Sequence, residues 1–267
     1  NNTIAELFSR SDNALALAKF NQEKIHLEKS EDAVEVMGKE AWKQIINSAV
    51  EQNKFHFISW NVIDAKAKKL AHNVLSINLV IDEHKSYSYA QFMAPAIQLK
   101  LSNSIYKNVI EILFKNSNMH LGDSTYSLRL PQEYLEDKST YEDLSKLLKT
   151  YAHTLSFKLI IELPDKFIRQ DRGSIKEYIE LFKRYNIDIG IFEFIGEGDD
   201  YQYLQDLRPI YIKGESSYFL TQNIQSLSAL RLITDTVGIT LIAVGVTNIE
   251  TLEKLKEIDI HTLQGYV

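Results

Sequence analysis

Apolar residues run together, or alternate with polar ones, in eight short stretches. These are FHFISWNVI (55–63), VLSINLVI (74–81), TYSLRL (125–130), FKLIIEL (157–163), IDIGIFEF (187–194), IYIK (210–213), TLIAVGV (240–246) and HTLQGYV (261–267). Runs of this length, rich in Ile, Val, Phe and Tyr, predict β-strands. Around them the apolar spacing lengthens to three or four, which predicts helices at 39–52, 89–116, 139–153, 174–185, 199–206, 217–236 and 248–257. Strands alternating with helices indicate an α/β fold with a mostly parallel sheet. Eight strands in about 230 residues suit a barrel of the TIM type.

The first two strands break the alternation. Only a polar stretch, DAKAKKLAHN (64–73), joins them, too short for the crossover that a parallel pair requires. Strand 1 is therefore expected to pair antiparallel to strand 2. Upstream, SDNALALAKF (11–20) has a helical pattern with a Ser/Asp cap, followed by the extended and then charged EKIHLEKSEDA (23–33). A boundary is expected near 30–37, which divides the chain into 1–37 and 38–267.

Composition excludes more than it proposes. There is no cysteine, so disulfides, thiolate catalysis and Cys-ligated zinc are ruled out. A net charge of −6 offers no basic face for nucleic acid. No apolar run reaches the ~20 residues of a membrane helix. The chain begins with Asn and shows no leader, so it is expected to be cut from a longer protein, with any membrane anchor in the missing part.

In a barrel the chemistry belongs at the C-terminal ends of the parallel strands. Glu162 ends LIIELPD, Lys213 ends IYIKGE with Glu215 beside it, Glu193 stands in FEFIGEGDD, and Gln264-Gly265-Tyr266 closes the chain. Each acid also has a plain reading, as a local cap or an ion pair that holds a loop. Gly196 and Gly198 lack the pattern of a phosphate loop and read as a turn. The histidines form no HExxH or HxH, and no serine stands in GxSxG, so His-metal and triad chemistry have no support.

Several of these motifs resemble one family. LIAVGVTNIETLEKLKEIDIHTLQGYV (241–267) is similar to the C-terminus of EAL domains, cyclic di-GMP phosphodiesterases. YLQDLRPIYIKGE and LIIELPD resemble their sixth- and fourth-strand motifs, and the likeness covers about 38–267. Upstream, SRSDNALALAKFNQEKIHLE resembles the end of a GGDEF domain. Arg208-Pro209 within LRPIYIK brings the chain nearest to the C-terminal half of GGDEF–EAL proteins of the LapD receptor type. The resemblance implies a modified (β/α)8 barrel whose first strand is antiparallel.

Active members of this family hold two divalent metals with a ring of Asp, Glu and Asn, and such hard cations require oxygen ligands. Here the resemblance puts Val74 at the Glu of the EAL signature and Asn78 at its phosphate-binding Arg. Arg129 falls at the strand-3 Asn, Phe192 and Glu193 at the paired Asp residues, and Val244 and Thr247 at the late acids. Trp60 falls at the strand-1 Gln, whereas Glu162, Lys213 and Gln264 are kept and Glu215 replaces an Asp. Val and Phe offer no side-chain oxygen to Mg²⁺, Thr offers no carboxylate, and Arg129 adds a cation. The binuclear site and hydrolysis are therefore expected to be lost, with no metal cofactor.

Two functions remain, with residual phosphodiesterase activity a distant third. One is a cyclic di-GMP receptor, with Arg129 and Lys213 holding phosphate, Trp60 or Tyr218 stacking on a guanine, and Glu162, Glu215, Gln264 and Asn78 lining the site. The other is a protein-interaction domain blind to the nucleotide, which Asn78 and Trp60 favour. The resemblance further implies an upstream GGDEF domain, a homodimer, and a cytoplasmic domain of a bacterial protein anchored in the inner membrane.

Overall fold

The computed structural model describes residues 37–115, 124–196 and 201–265. The helix expected at 11–20, the boundary at 30–37 and the remnant 1–37 lie outside them, save Met37. The chain divides into two units, residues 1–58 with 76–113, and 59–75 with 114–267.

The second unit carries most of the barrel, with residues 55–58 and 76–80 falling in the first. Strands β1 (Phe55–Asp64), β2 (Lys69–Val80), β4 (Thr125–Arg129), β5 (Lys158–Pro164), β6 (Asp188–Phe192), β7 (Tyr211–Glu215), β8 (Thr240–Val246) and β9 (Thr262–Gly265) pair in the order β1-β9-β8-β7-β6-β5-β4-β2. β1 pairs again with β2, so the ring of eight closes. β1 is antiparallel to β9 (Ile63 opposite Leu263), while the pairs from β2–β4 round to β8–β9 are parallel. β1 and β2 form a hairpin through a turn at 65–68, as the short polar link required. β2 nevertheless begins at Lys69, inside the stretch that reads as loop, because hairpin pairing outweighs the polar composition of KLAHN.

Helices α4 (Gln132–Glu136), α5 (Lys138–Tyr151), α6 (Asp165–Gln170), α7 (Arg172–Arg184), α8 (Gln202–Leu207), α9 (Ser216–Thr221), α10 (Ile224–Val237) and α11 (Ile249–Glu257) connect the strands. Each long one follows its apolar period. In α7, Ile175, Tyr178, Ile179, Leu181 and Phe182 are buried, and Asp171 caps its start by accepting from Ser174 N. The helix expected at 217–236 is two, since Asn223 caps a new start. Inside the ring Val62, Val74, Ile160, Tyr211 and Ile242 pack as a core layer.

The first unit holds α1 (Lys39–Glu51), α2 (Tyr89–Gln98), α3 (Ser102–Lys115) and the two-residue strand β3 (Ser86–Tyr87), which pairs antiparallel with Leu79–Val80 of β2. Trp42 of α1 meets Tyr87 edge-on at 5.0 Å. The single helix expected over 89–116 is broken. Lys100 takes the left-handed conformation (φ 58°), and Leu101 N donates back to Ala96 O at 2.8 Å, a helix stop that usually carries Gly. Lys gives no such signal in the sequence.

Gly190 shows how register prepares the site. Across three neighbouring strands Glu162 lies opposite Gly190, and Gly190 opposite Tyr211. A Cβ on Gly190 would stand 2.3 Å from the Tyr211 ring. The bare backbone of β6 lets that ring cross toward Glu162. Gly190→Ala is expected to cost about 1–3 kcal/mol by overpacking. An unchanged urea midpoint would show that the ring is not wedged there.

Candidate functional site

The C-terminal ends of β4, β5, β7 and β9 bring together Arg129, Glu162, Lys213 and Gln264. Arg129 and Glu162 are register partners on adjacent parallel strands, so their side chains leave the sheet on the same side. Glu162 is fully buried. Its Oε1 accepts from Lys213 Nζ at 2.5 Å and from Tyr211 Oη at 2.8 Å, and its Oε2 accepts from Arg129 Nε at 3.1 Å. Lys213 Nζ also donates to Gln264 Oε1 at 3.1 Å.

Burial works against the charge on Glu162, but the Lys213 ammonium and then the Arg129 guanidinium prevail and hold its carboxyl well below the usual range. Burial pushes Lys213 down to about 8, with Glu162 opposing and Arg129 assisting. Lys213 is 1% exposed, so it touches the carboxylate and the amide but not solvent. The Arg129 side chain is 37% exposed and reaches outward. Its guanidinium carbon lies 5.2 Å from the centroid of the Phe192 ring.

Two further acids face Arg129 at the mouth. Burial raises the carboxyls of Glu193 and Glu215, Arg129 lowers both, and Glu193 raises Glu215 further. Glu215 rests against Gly245, where a Cβ would stand 2.9 Å from its Oε2. Gly245 has φ 75° and sits at a register shift between Val244 and Val246, so glycine serves both the turn and the approach.

Beside Gln264 opens a cavity of about 550 Å³, lined by Trp60, Ile63, Val244, Thr247, Leu252 and Leu263 among others. That volume lies in the range of small-molecule sites, and the lining is mainly apolar. Trp60 is 46% exposed at its rim. Tyr218 belongs instead to an aromatic cluster, its ring against Phe194 at 5.6 Å and Phe219 at 5.2 Å. Asn78 lies in the first unit, and its buried amide oxygen has no hydrogen-bond partner among the described residues.

Sequence reasoning missed two members of the cluster. Tyr211 stands two residues before Lys213, so the strand period puts both on one face, a signal that could have found it. His72 stacks on Tyr211 with ring centroids 4.8 Å apart and planes 7° apart. Burial, and then Lys213, push His72 down to about 4, which leaves a neutral imidazole. It stands two residues before Val74, in the part of β2 that reads as loop.

Both oxygens of Glu162 already accept from cationic donors, and Val74, Phe192, Val244 and Thr247 carry no oxygen that could replace a carboxylate. Among the described residues no three His, Asp or Glu side chains are grouped to hold a metal ion. No helix among them is long and apolar enough to cross a membrane.

A parallel barrel with one antiparallel strand, and with its polar cluster at the strand ends, defines a modified TIM-type α/β protein. The chain belongs to the EAL domain family, whose profile matches residues 43–267. A comparison with curated protein sequences finds no match.

Among solved structures it is similar to the Vibrio cholerae LapD S helix–GGDEF–EAL chain bound to c-di-GMP. The TM-score is 0.81 at 22% identity, over 99% of this chain and 66% of that one. The apo form of that protein matches with a TM-score of 0.71 at 23% identity, over 99% and 65%. The Xanthomonas citri FimX EAL domain in complex with c-di-GMP matches with a TM-score of 0.66 at 16% identity, over 85% and 91%. The chain thus spans about two thirds of the LapD chains it matches.

Proposed function

We propose that this chain is a cyclic di-GMP receptor module that binds its ligand without metal and without hydrolysis. The observation that carries the reading is Arg129. Its guanidinium is held by the buried Glu162 and the Phe192 ring and extends to the barrel mouth. A guanidinium fixed in this way can pair with a phosphate oxygen where a metal would otherwise do so. Lys213 acts through Glu162, as a buried counter-charge that leaves Arg129 less fully neutralised. Trp60, at the cavity rim, is the aromatic offered to a base. By likeness to LapD, we assign the chain to the C-terminal part of a GGDEF–EAL signalling protein anchored in a bacterial inner membrane.

Calorimetric titration with cyclic di-GMP, with and without Mg²⁺, tests this reading. Binding should be the same in both conditions, and Arg129→Ala should weaken it by about 10–100-fold, the range for one hydrogen bond to a charged group. Binding that requires Mg²⁺, or that ignores Arg129→Ala, would sink the proposed pocket.

The cavity favours a second reading. Trp60 and Ile63 are exposed beside Val244, Leu252 and Leu263, an apolar recess of the kind that receives a partner's anchoring side chain. If no nucleotide binds, the mouth is a protein-docking site independent of the nucleotide. Trp60→Ala should then abolish capture of that partner without shifting the melting temperature.

A further inference from the structure

Three side chains of the mouth stand in one row. Glu215 of β7 is the register partner of Val244 on β8, and Val244 that of Gln264 on β9. Register partners on adjacent parallel strands leave the sheet on the same side, as Arg129 and Glu162 do. Val244 and Gln264 line the cavity that has Trp60 at its rim, and Glu215 rests against Gly245 of the same lining. The two ends of the row have opposite hydrogen-bonding character. An ammonium can only donate, so the bond from Lys213 takes the amide oxygen of Gln264 and leaves its NH2 group as the donor. An ionised Glu215 can only accept. Among the described residues no group donates to it, and Arg129 and Glu193 act on it through charge alone. Val244, between the two, has no polar side-chain atom to compete.

We infer that this row reads the edge of a guanine: Glu215 accepts from its N1–H and 2-amino group, Gln264 donates to its O6, and Trp60 supports the face of the ring. The inference rests on the nucleotide reading above and adds to it the residues that select the base. Guanine presents one acceptor beside two donors, and a carboxylate can take both donors with its two oxygens. Adenine presents the reverse order, with a 6-amino donor beside an acceptor nitrogen. It would set that lone pair against the carboxylate and its amino group against the Gln264 NH2.

The charge of Glu215 sharpens the choice. For a phosphate alone this acid is a hindrance, since it opposes an anion held at Arg129. Base donors turn the same charge into a contact, and a hydrogen bond to a charged group is stronger than one between neutral groups. Gly245 serves this arrangement, because a Cβ there would stand 2.9 Å from Glu215 Oε2 and push the carboxylate away.

Calorimetric titration of the whole chain with cyclic di-GMP, cyclic di-AMP and cyclic di-IMP, which lacks only the 2-amino groups, tests the inference. The unaltered protein should bind cyclic di-GMP about 10–100-fold more tightly than cyclic di-AMP, the range for hydrogen bonds to a charged group, with cyclic di-IMP between them. In Glu215→Gln the affinity for cyclic di-GMP should fall at least about 10-fold. That for cyclic di-AMP should not fall, because Arg129 loses a competing charge. Glu215 is exposed, so the variant should melt like the unaltered chain. Glu215→Ala serves as the second variant should Glu215→Gln fail to fold. A preference for guanine that survives in the variant would overturn the inference and leave the receptor reading standing. So would an equal weakening of all three ligands, which would make Glu215 a structural group. No binding of any of the three by the unaltered protein would overturn both.

Discussion

Glu162→Gln is expected to destabilise the chain by about 3–5 kcal/mol, the usual loss when one partner of a buried ion pair is removed. The carboxylate is fully buried and is the common acceptor of Lys213, Tyr211 and Arg129. Without that charge, Lys213 keeps a buried ammonium with neutral amide oxygens beside it and no anion. The large loss comes from that stranded cation rather than from the net worth of the pair. Glu162→Met combined with Lys213→Met should therefore be less damaging than Glu162→Gln alone. Urea unfolding of the three proteins decides this, and a double variant worse than the single one would refute the argument.

The same site sets part of the acid sensitivity. The folded carboxyl of Glu162 lies below its ordinary value of 4.5. The unfolded chain therefore takes up its proton first as pH falls. The stability contributed by the ionised group is complete above pH 4.5 and is lost as pH drops below it, through the folded value. The urea midpoint should fall on acidification in this window, and the slope should be shallower in Glu162→Gln.

Asp165→Ala is expected to cost about 1–3 kcal/mol, because the buried Tyr203 hydroxyl and the Ile195 N–H lose their acceptor. Asp165 is fully buried where β5 passes into α6. Its Oδ2 accepts from Arg169 Nε at 3.2 Å and from Ile195 N at 3.4 Å, and its Oδ1 accepts from the Tyr203 hydroxyl. Arg169 also lies over the Tyr203 ring at 5.1 Å. One carboxylate thus ties the segment after Phe192, which includes Glu193, to α8.

Its loss should lower the melting temperature and also change affinity at the mouth, because the segment carrying Glu193 is released. Its titration has the opposite sign to that of Glu162. Burial raises the folded carboxyl above 3.8, against the hydrogen bond from Tyr203 and the charge of Arg169. The stabilisation it gives is complete below pH 3.8 and declines as pH rises through the folded value. Asp165→Asn, which keeps an acceptor for Tyr203, should recover part of the loss. Equal melting temperatures for Asp165→Ala and the unaltered chain would remove this clamp from the account.

Local pattern made much of this protein legible. The eight barrel strands, the hairpin at their start and the long helices between them follow from apolar period and link length, whereas the short α4 and α6 gave no such signal. Those signals are local, and the barrel's burial of one face per strand imposes them. The stop at Lys100 and the start of β2 at Lys69 were not legible, because a Schellman-type turn and a hairpin partner overrode composition. The motif positions also placed Arg129, Glu162, Lys213 and Gln264 at strand ends, and the barrel gathers those four into one cluster.

What the chain order could not express was who faces whom. Tertiary register alone put Gly190 between Glu162 and Tyr211 and stacked His72 on Tyr211. It set Phe192 under Arg129 and buried Lys213 beneath the carboxylate that neutralises it. These residues lie tens of positions apart, and their energies depend on burial and on distances of a few ångströms, which no local period encodes.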